Sequence, residues 1–407
     1  MHIDVAIIGS GPAGLCAAIT LAKKQRSVVV LDEQRKAGGK LIGQLHEDPK
    51  EGWWIGRQIA EQMQREAEQA GVTFLLQREV WAIEPGWTIK TSGHQDITAS
   101  YVILATGAQE KPTPVPGWTL PGTMAIGAAQ VLNNYERVRP GKRIAIMGVD
   151  PLAFTVAQEL KLAGAEVVGI FLPPEGLFAT EKAKPQSTIG YLSTMAHLAP
   201  NPWLRLAGSM AKHQLIQKMG SRFYPKAGMK VFGVPLRLRQ ALIAIEGANQ
   251  VEAIQTVKLH RDGKIIKGSE ESILVDAVCI SGGLLPLVEL ASSCKTVNID
   301  ELGGYVPLHS EEMETSKEKL YVCGNITGIE GAKIAMEQGK LAAMSIEHKM
   351  TGSEQAMCDV KMQIDEVERV RKHAAITFMP NLLDGRKKMK QLWDKFQQES
   401  RDTYEVR

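Results

Sequence analysis

Val5-Ala6-Ile7-Ile8-Gly9-Ser10-Gly11-Pro12-Ala13-Gly14 is the stretch whose reading decides the fold. Four apolar residues predict a buried strand that runs into a glycine-rich turn. An Ala-rich apolar pattern over residues 15–24 predicts a helix, and Val28-Val29-Val30-Leu31 predicts a second strand that ends in Asp32-Glu33. Each part answers a need of a dinucleotide. Gly9 permits the tight turn, Gly11 lets the backbone approach a pyrophosphate, and Gly14 lets the helix pack closely on the strand. Pro12 and Ala13 stand between the glycines, and the helix N-terminus that follows offers unpaired N–H groups and a partial positive charge. An acid about 20 residues on can hold the ribose hydroxyls. Asp32 ends the strand and Glu33 is next; both stay candidates, Asp32 first.

Composition bounds the rest. A chain of 407 residues has room for two to three domains with substantial cores. A net charge of +3 gives no argument for nucleic acid or an anionic membrane surface. No apolar run approaches a membrane span, and the first residues lead into a strand without a basic leader, so a cytoplasmic location is expected. The five cysteines (Cys16, Cys279, Cys294, Cys323 and Cys358) form no CxxC pair. A redox disulfide is therefore not supported, zinc and iron–sulfur spacings are absent, and each thiol reads as a small buried apolar group. No metal site is expected.

Further along, residues 53–70 carry apolar positions at near-helical spacing and predict an amphipathic helix, with a third strand at 72–76. Residues 81–100 alternate around Pro85-Gly86 and Ser92-Gly93, as an antiparallel meander would. Tyr101-Val102-Ile103-Leu104 predicts a buried strand that ends in Ala105-Thr106-Gly107. The prolines of residues 111–122 forbid a regular helix and mark a boundary. Residues 142–153 then begin a second strand–turn–helix, followed by a strand at 166–171. Its fingerprint is damaged: Asp150 stands at the middle glycine position and Ala153 at the last. A carboxylate there repels a pyrophosphate. The following strand ends in neither an acid for NAD nor an arginine for NADP, so NAD(P) binding at this second site is doubtful. Residues 173–225 read as an insertion, with a basic helical piece at 206–219 that carries Lys212 and Lys218 and is preceded by Arg205; a lid, a docking surface and a solvated insertion all fit. Residues 230–280 read as β-rich, with a hairpin at Asp262-Gly263 and an exit into Gly282-Gly283. A last strand ends in Gly324-Asn325, an apolar-faced helix covers about 333–348, and the tail from 351 is charged and helical in pattern.

The ordered motifs GSGPAG (9–14), DEQ…GGK (32–40), ATGAQEKPTPVPGWTLPG (105–122), GVDPLA (148–153) and LYVCGNITGIEGAK (320–333) carry a resemblance. Over about residues 3–350 the chain resembles the FAD-dependent two-dinucleotide-domain flavoproteins, which include the thioredoxin-reductase and glutathione-reductase types. Within them it looks like the flavoprotein subunits of heteromeric amine and amino-acid dehydrogenases: opine oxidase, hydrogen cyanide synthase, dye-linked proline or hydroxyproline dehydrogenase, and part of sarcosine oxidase alpha. The resemblance implies an α/β fold of two Rossmann-like domains, the FAD domain discontinuous (1–115 and 286–350), a second domain inserted (116–285), and a helical C-terminal extension (351–407). It implies FAD held at Gly9, Gly11, Pro12, Ala13, Gly14, Asp32 or Glu33, Gly39, Lys40, Gln44, Val80, Ala105, Thr106, Gly107, Gly324, Asn325 and Ala332. In such proteins the segment after the GG pair passes the flavin ring, so Gln44 and His46 become candidates for contact with ring or substrate; the alternative is a polar surface loop. No side chain is an evident general base. Asn325 replaces the family's ribityl-binding Asp, and the C-terminal iron–sulfur cysteines of many relatives are absent.

The implied function is an FAD subunit that oxidises a secondary amine or amino acid of proline, hydroxyproline, sarcosine or opine type and relays electrons. The expected partner is a second flavoprotein subunit, within an oligomer. The rivals are an NAD(P)H-dependent flavin oxidoreductase without a CxxC, and an assembly subunit that binds ADP or ATP.

Overall fold

In the computed structural model, which describes residues 2–48, 52–93, 96–176, 179, 183–194, 228–374 and 376–405, the chain divides into two compact units. The first comprises residues 1–42, 56–109 and 284–407, and the second residues 43–55 and 110–283. Each is a mixed α/β unit built on its own sheet.

The first unit is organised by strand His2–Ile8, helix Pro12–Lys23 and strand Val28–Asp32. His2–Ile8 lies parallel between Val28–Asp32 and Ile97–Leu104, Val5 opposite both Val28 and Tyr101. Thr73–Leu76 extends the sheet beyond Val28–Asp32, and Leu320–Val322 adds a parallel strand beside Ile97–Leu104. The meander is Val80–Glu84, Thr88–Thr91 and Ile97–Leu104, antiparallel throughout. Both faces of the central strands are buried, which is why they read as unbroken apolar runs. One face packs on helices Pro12–Lys23 and Ala332–Thr351 through Ile7, Ala17, Leu21, Ala335 and Ala342. Those helices meet so closely that a Cβ at Gly339 would lie 2.0 Å from the Ala13 carbonyl oxygen. Two helices complete the unit, Glu354–Lys372 and Leu382–Glu405. The first buries Val360 and Val367 against the same core, and the second buries Leu382 and Met389 against Leu302 and Val306.

The second unit repeats the plan. Thr123–Ala125, Ala277–Ile280, Arg143–Met147 and Glu166–Leu172 form a parallel set, extended through Val234–Glu246 by the antiparallel strands Ala253–Lys258 and Glu271–Leu274. Helices Ile126–Asn134 and Pro151–Leu162 pack on it through Ile126, Ala129, Val156 and Leu160. Of the insertion, helix Pro185–Thr194 is described, and its Ile189 and Leu192 pack against the same core. The helical piece expected at 206–219, with Arg205, lies outside the described residues.

Two local expectations need correction. The helix expected over 53–70 is Gly56–Gln69; residues 52–55 are a strand, Gly52–Ile55, paired antiparallel with Leu45–Asp48. Two adjacent tryptophans, Trp53 and Trp54, favour a strand, and tertiary pairing overrides the helical period there. The polar surface loop weighed as the alternative for Gln44 and His46 is thus the start of a hairpin, and that segment groups with the second unit.

Candidate dinucleotide site

The first unit gathers the glycine loop, the strand exits and two helix N-termini. Gly9 has φ +104°, and a Cβ on it would sit 2.4 Å from the Ala105 carbonyl oxygen. A Cβ at Gly14 would sit 1.9 Å from the Gly9 carbonyl oxygen. Neither position admits a side chain, so turn, helix and the Ala105-Thr106-Gly107 exit are locked together. Gly11 is different: a Cβ there meets nothing within 4 Å. That is open space above the loop, where a phosphate would approach. A Cβ at Gly39 would lie 3.2 Å from the Gly11 Cα, so the GG pair returns beside the loop. Thr106 Oγ1 donates to the Leu287 carbonyl at 2.7 Å, and Gly107 takes φ +76°. Gly324 faces Ala13, and Ala332 is the first residue of the helix behind it. Lys40 is exposed, and Val80 opens its strand opposite Thr91.

Helix Pro12–Lys23 begins with Pro12 at its first turn, and neither its own cap residue nor an acid in its first turn closes its N-terminus. The same holds of Ala332–Thr351, capped only by the backbone of Gly331. The second unit does the opposite. Asp150, buried, accepts from Ala153 N at 2.9 Å through Oδ1 and from Ser281 Oγ at 2.8 Å through Oδ2. Glu110 accepts from Gly127 N at 3.0 and 3.2 Å, at the start of helix Ile126–Asn134. Both N-termini are filled by carboxylates of the chain itself.

The acid at the end of the second strand is committed to the loop. Ser10 N and Ser10 Oγ both donate to Asp32 Oδ2, at 2.7 and 2.6 Å, and Gln34 N donates to Oδ1 at 2.8 Å. Glu33 is exposed and accepts only from its neighbour Gln34, at 3.2 Å, among the described hydrogen bonds. Asn325 is likewise engaged: its Oδ1 accepts from Glu330 N at 3.1 Å.

Gln44 and His46 sit on the hairpin of the second unit. Trp54 Nε1 donates to Gln44 Oε1 at 3.1 Å, and the His46 ring stacks on Trp54 with centroids 5.9 Å apart. The hairpin is seated by a buried polar cluster. Asn134 Nδ2 donates to the Gly43 carbonyl at 2.7 Å, and Gln130 Nε2 donates to both oxygens of Glu159 at 3.1 and 3.2 Å. Burial pushes the Glu159 carboxyl up to about 8, against the pull of hydrogen bonds from Asn134, Gln130 and the Leu45 backbone.

Burial also pushes the thiols of Cys16 and Cys279 up to about 12 and that of Cys294 to about 11, and raises Cys323 as well. These four stay protonated at neutral pH and offer no thiolate. Among the described residues no cluster of three metal-ligating side chains occurs. No helix among them is long and apolar enough to cross a membrane.

Comparison with known proteins fits this geometry. Residues 3–184 match the model of the pyridine nucleotide-disulphide oxidoreductase family. The chain is 27% identical to an opine oxidase subunit of Rhizobium meliloti, over 88% of its own length and 63% of that protein's. It is 24% identical to a hydrogen cyanide synthase subunit of Pseudomonas protegens, covering 85% of this chain and 70% of that one. Among solved structures, the L-proline dehydrogenase of P. horikoshii superposes with a TM-score of 0.61 at 20% identity, over 90% of this chain and 59% of that one. The thioredoxin reductase of T. acidophilum gives 0.61 at 19% identity, over 86% and 99%. The chain thus spans 63% of the length of the opine oxidase protein and 59% of the proline dehydrogenase chain. Residues 3–184 are thus similar to the pyridine nucleotide-disulphide oxidoreductase family, and the chain shares the fold of these two solved structures.

Proposed function

We propose that the chain is the FAD-binding subunit of an oxidoreductase that takes electrons from an amine or amino acid rather than from NAD(P)H. One observation carries this reading: the N-termini of helices Pro12–Lys23 and Ala332–Thr351 in the first unit and of Ile126–Asn134 and Pro151–Leu162 in the second are treated in opposite ways. The first leaves them open beside bare backbone and empty space at Gly11. The second closes both with Asp150 and Glu110. A phosphate brought within about 4 Å of the Asp150 carboxylate meets a repulsion of about 4 kcal/mol at an effective dielectric of about 20. The first unit gains instead from the partial positive charge of its helix.

The residues of the first unit fit FAD. The amides at the start of Pro12–Lys23 would take the pyrophosphate, and Gly39 would flank it. The ribose hydroxyls would fall to Glu33 and to whatever acceptor capacity Asp32 retains beyond Ser10 and Gln34. Asn325, its oxygen held by Glu330 N, would offer its amide N–H to the ribityl chain, and Gly324, Ala105, Thr106 and Gly107 keep the exits free of bulk. The chemistry FAD would supply there is acceptance of a hydride from the carbon that bears nitrogen, so that a neutral amine becomes an iminium ion that water hydrolyses. A neutral amine, whose nitrogen lone pair assists loss of the hydride, is the form expected to react. Opine oxidase and hydrogen cyanide synthase are relatives named as subunits. Those names support a second subunit for this chain too, in an oligomer. The test is purification of the chain with its neighbours from the native source. The expected result is stoichiometric flavin absorbance with a co-purifying second subunit. A colourless protein that carries only ADP or ATP overturns the reading.

A further inference from the structure

The C-terminal extension ends in an ion cluster that no surface role requires. Glu330 lies just ahead of helix Ala332–Thr351, and its side chain is 2% exposed. Arg371, from Glu354–Lys372, reaches it with Nε at 2.6 Å and a second nitrogen at 3.1 Å. Arg386, from Leu382–Glu405, reaches the same carboxylate. Arg386 also donates to the Thr327 carbonyl at 2.9 Å and to Thr327 Oγ1 at 3.1 Å. Gln338 closes the circuit: it donates to Glu330 Oε2 at 3.2 Å and accepts from Gly324 N at 2.9 Å. Burial alone would raise the Glu330 carboxyl, but the Arg386 and Arg371 guanidiniums outweigh it and hold it below its ordinary value. The whole turn from Gly324 to Gly331 is thereby tied to two helices whose arginines follow Glu330 by 41 and 56 residues.

We propose that Glu330, Arg371 and Arg386 are positioning residues: the two C-terminal helices form a strap that fixes the Gly324–Gly331 turn, and through it the flavin-bearing half of the dinucleotide. The strap itself stands on the contacts above. Its link to the flavin rests on the proposed function. The geometry separates the two halves of the ligand. The adenosine and phosphate half needs the loop at Gly9–Gly14, to which, among the described hydrogen bonds, Glu330, Arg371 and Arg386 make none, although Gly324 of the turn packs on Ala13. The other half needs the turn that the cluster holds. A fork of guanidinium nitrogens matters here, since each arginine donates from two separate nitrogens and a lysine has one.

The experiment uses the full chain with Arg386→Met, Arg386→Lys as the milder change, and Lys390→Met, an exposed pair on the same helix, as control. Two readouts decide. Hydrogen exchange at the amides of Gly328, Ile329 and Glu330 is expected to speed up at least about tenfold in Arg386→Met, less in Arg386→Lys, and not in the control. The dissociation constant for FAD is expected to rise at least about tenfold while that for ADP stays within about twofold. Unchanged exchange at the turn removes the strap. Equal loss of ADP and FAD, or no loss of either, removes the positioning role. A wild-type chain that binds ADP but no FAD sinks the proposed function, and the exchange data then judge the strap alone.

Discussion

Replacing Glu159 with Gln should flatten a slope in the pH dependence of stability. Glu159 is 3% exposed, and its carboxyl is pushed from 4.5 up to about 8, first by burial. Between those values the folded chain keeps a proton that the unfolded chain releases. Stability therefore falls as pH rises from about 4.5 to about 8 and levels off above. A gap of about 3.5 pH units at about 1.4 kcal/mol each puts the loss at no more than about 5 kcal/mol. Gln keeps the size and the acceptor that faces Gln130 but has no proton to lose. The Glu159→Gln chain should thus gain on the wild type as pH rises. The assay is urea unfolding of both proteins at pH steps from about 5 to about 9, reading the difference between them so that all other titrations cancel. Two parallel profiles would refute the argument: Glu159 would then be charged in the fold, and the seat of the Leu45–Asp48 hairpin would be an anion held by donors.

Two more substitutions test the contrast between the units. Asp150→Ala removes a helix cap and leaves Ser281 without its acceptor, and should lower stability by about 1–2 kcal/mol in thermal or urea unfolding; no loss would mean the carboxylate does not cap the helix. Gly14→Ala forces a methyl into the Gly9 carbonyl and should abolish FAD uptake in dialysis against the cofactor; a variant that still binds FAD stoichiometrically would mean the loop can open without consequence.

Much of the first unit was legible because local chemistry dictates it. The glycines at 9 and 14 admit no Cβ, and the strands around them are buried on both faces, so turn and strands leave plain marks in the sequence. Asp150 was legible as a misfit in a pattern, although its partner Ser281, 131 residues away, was not. Ser10 stood inside the quoted motif, yet its double donation to Asp32 could not be read from spacing. The cluster of Glu330, Arg371 and Arg386 left no periodic signal at all: three charged residues in polar stretches read as surface until the fold brings them together. The pairing of Leu45–Asp48 with Gly52–Ile55 was missed for the same reason, because its strand character comes from pairing rather than from alternation.

The division of labour between the two units is tested most directly by anaerobic mixing of the FAD-loaded protein with NADH and, separately, NADPH in a stopped-flow spectrometer. The account predicts that the yellow flavin band persists with both. Rapid bleaching by either one would mean that a nicotinamide nucleotide reaches the flavin despite Asp150 and Glu110, and would contradict it.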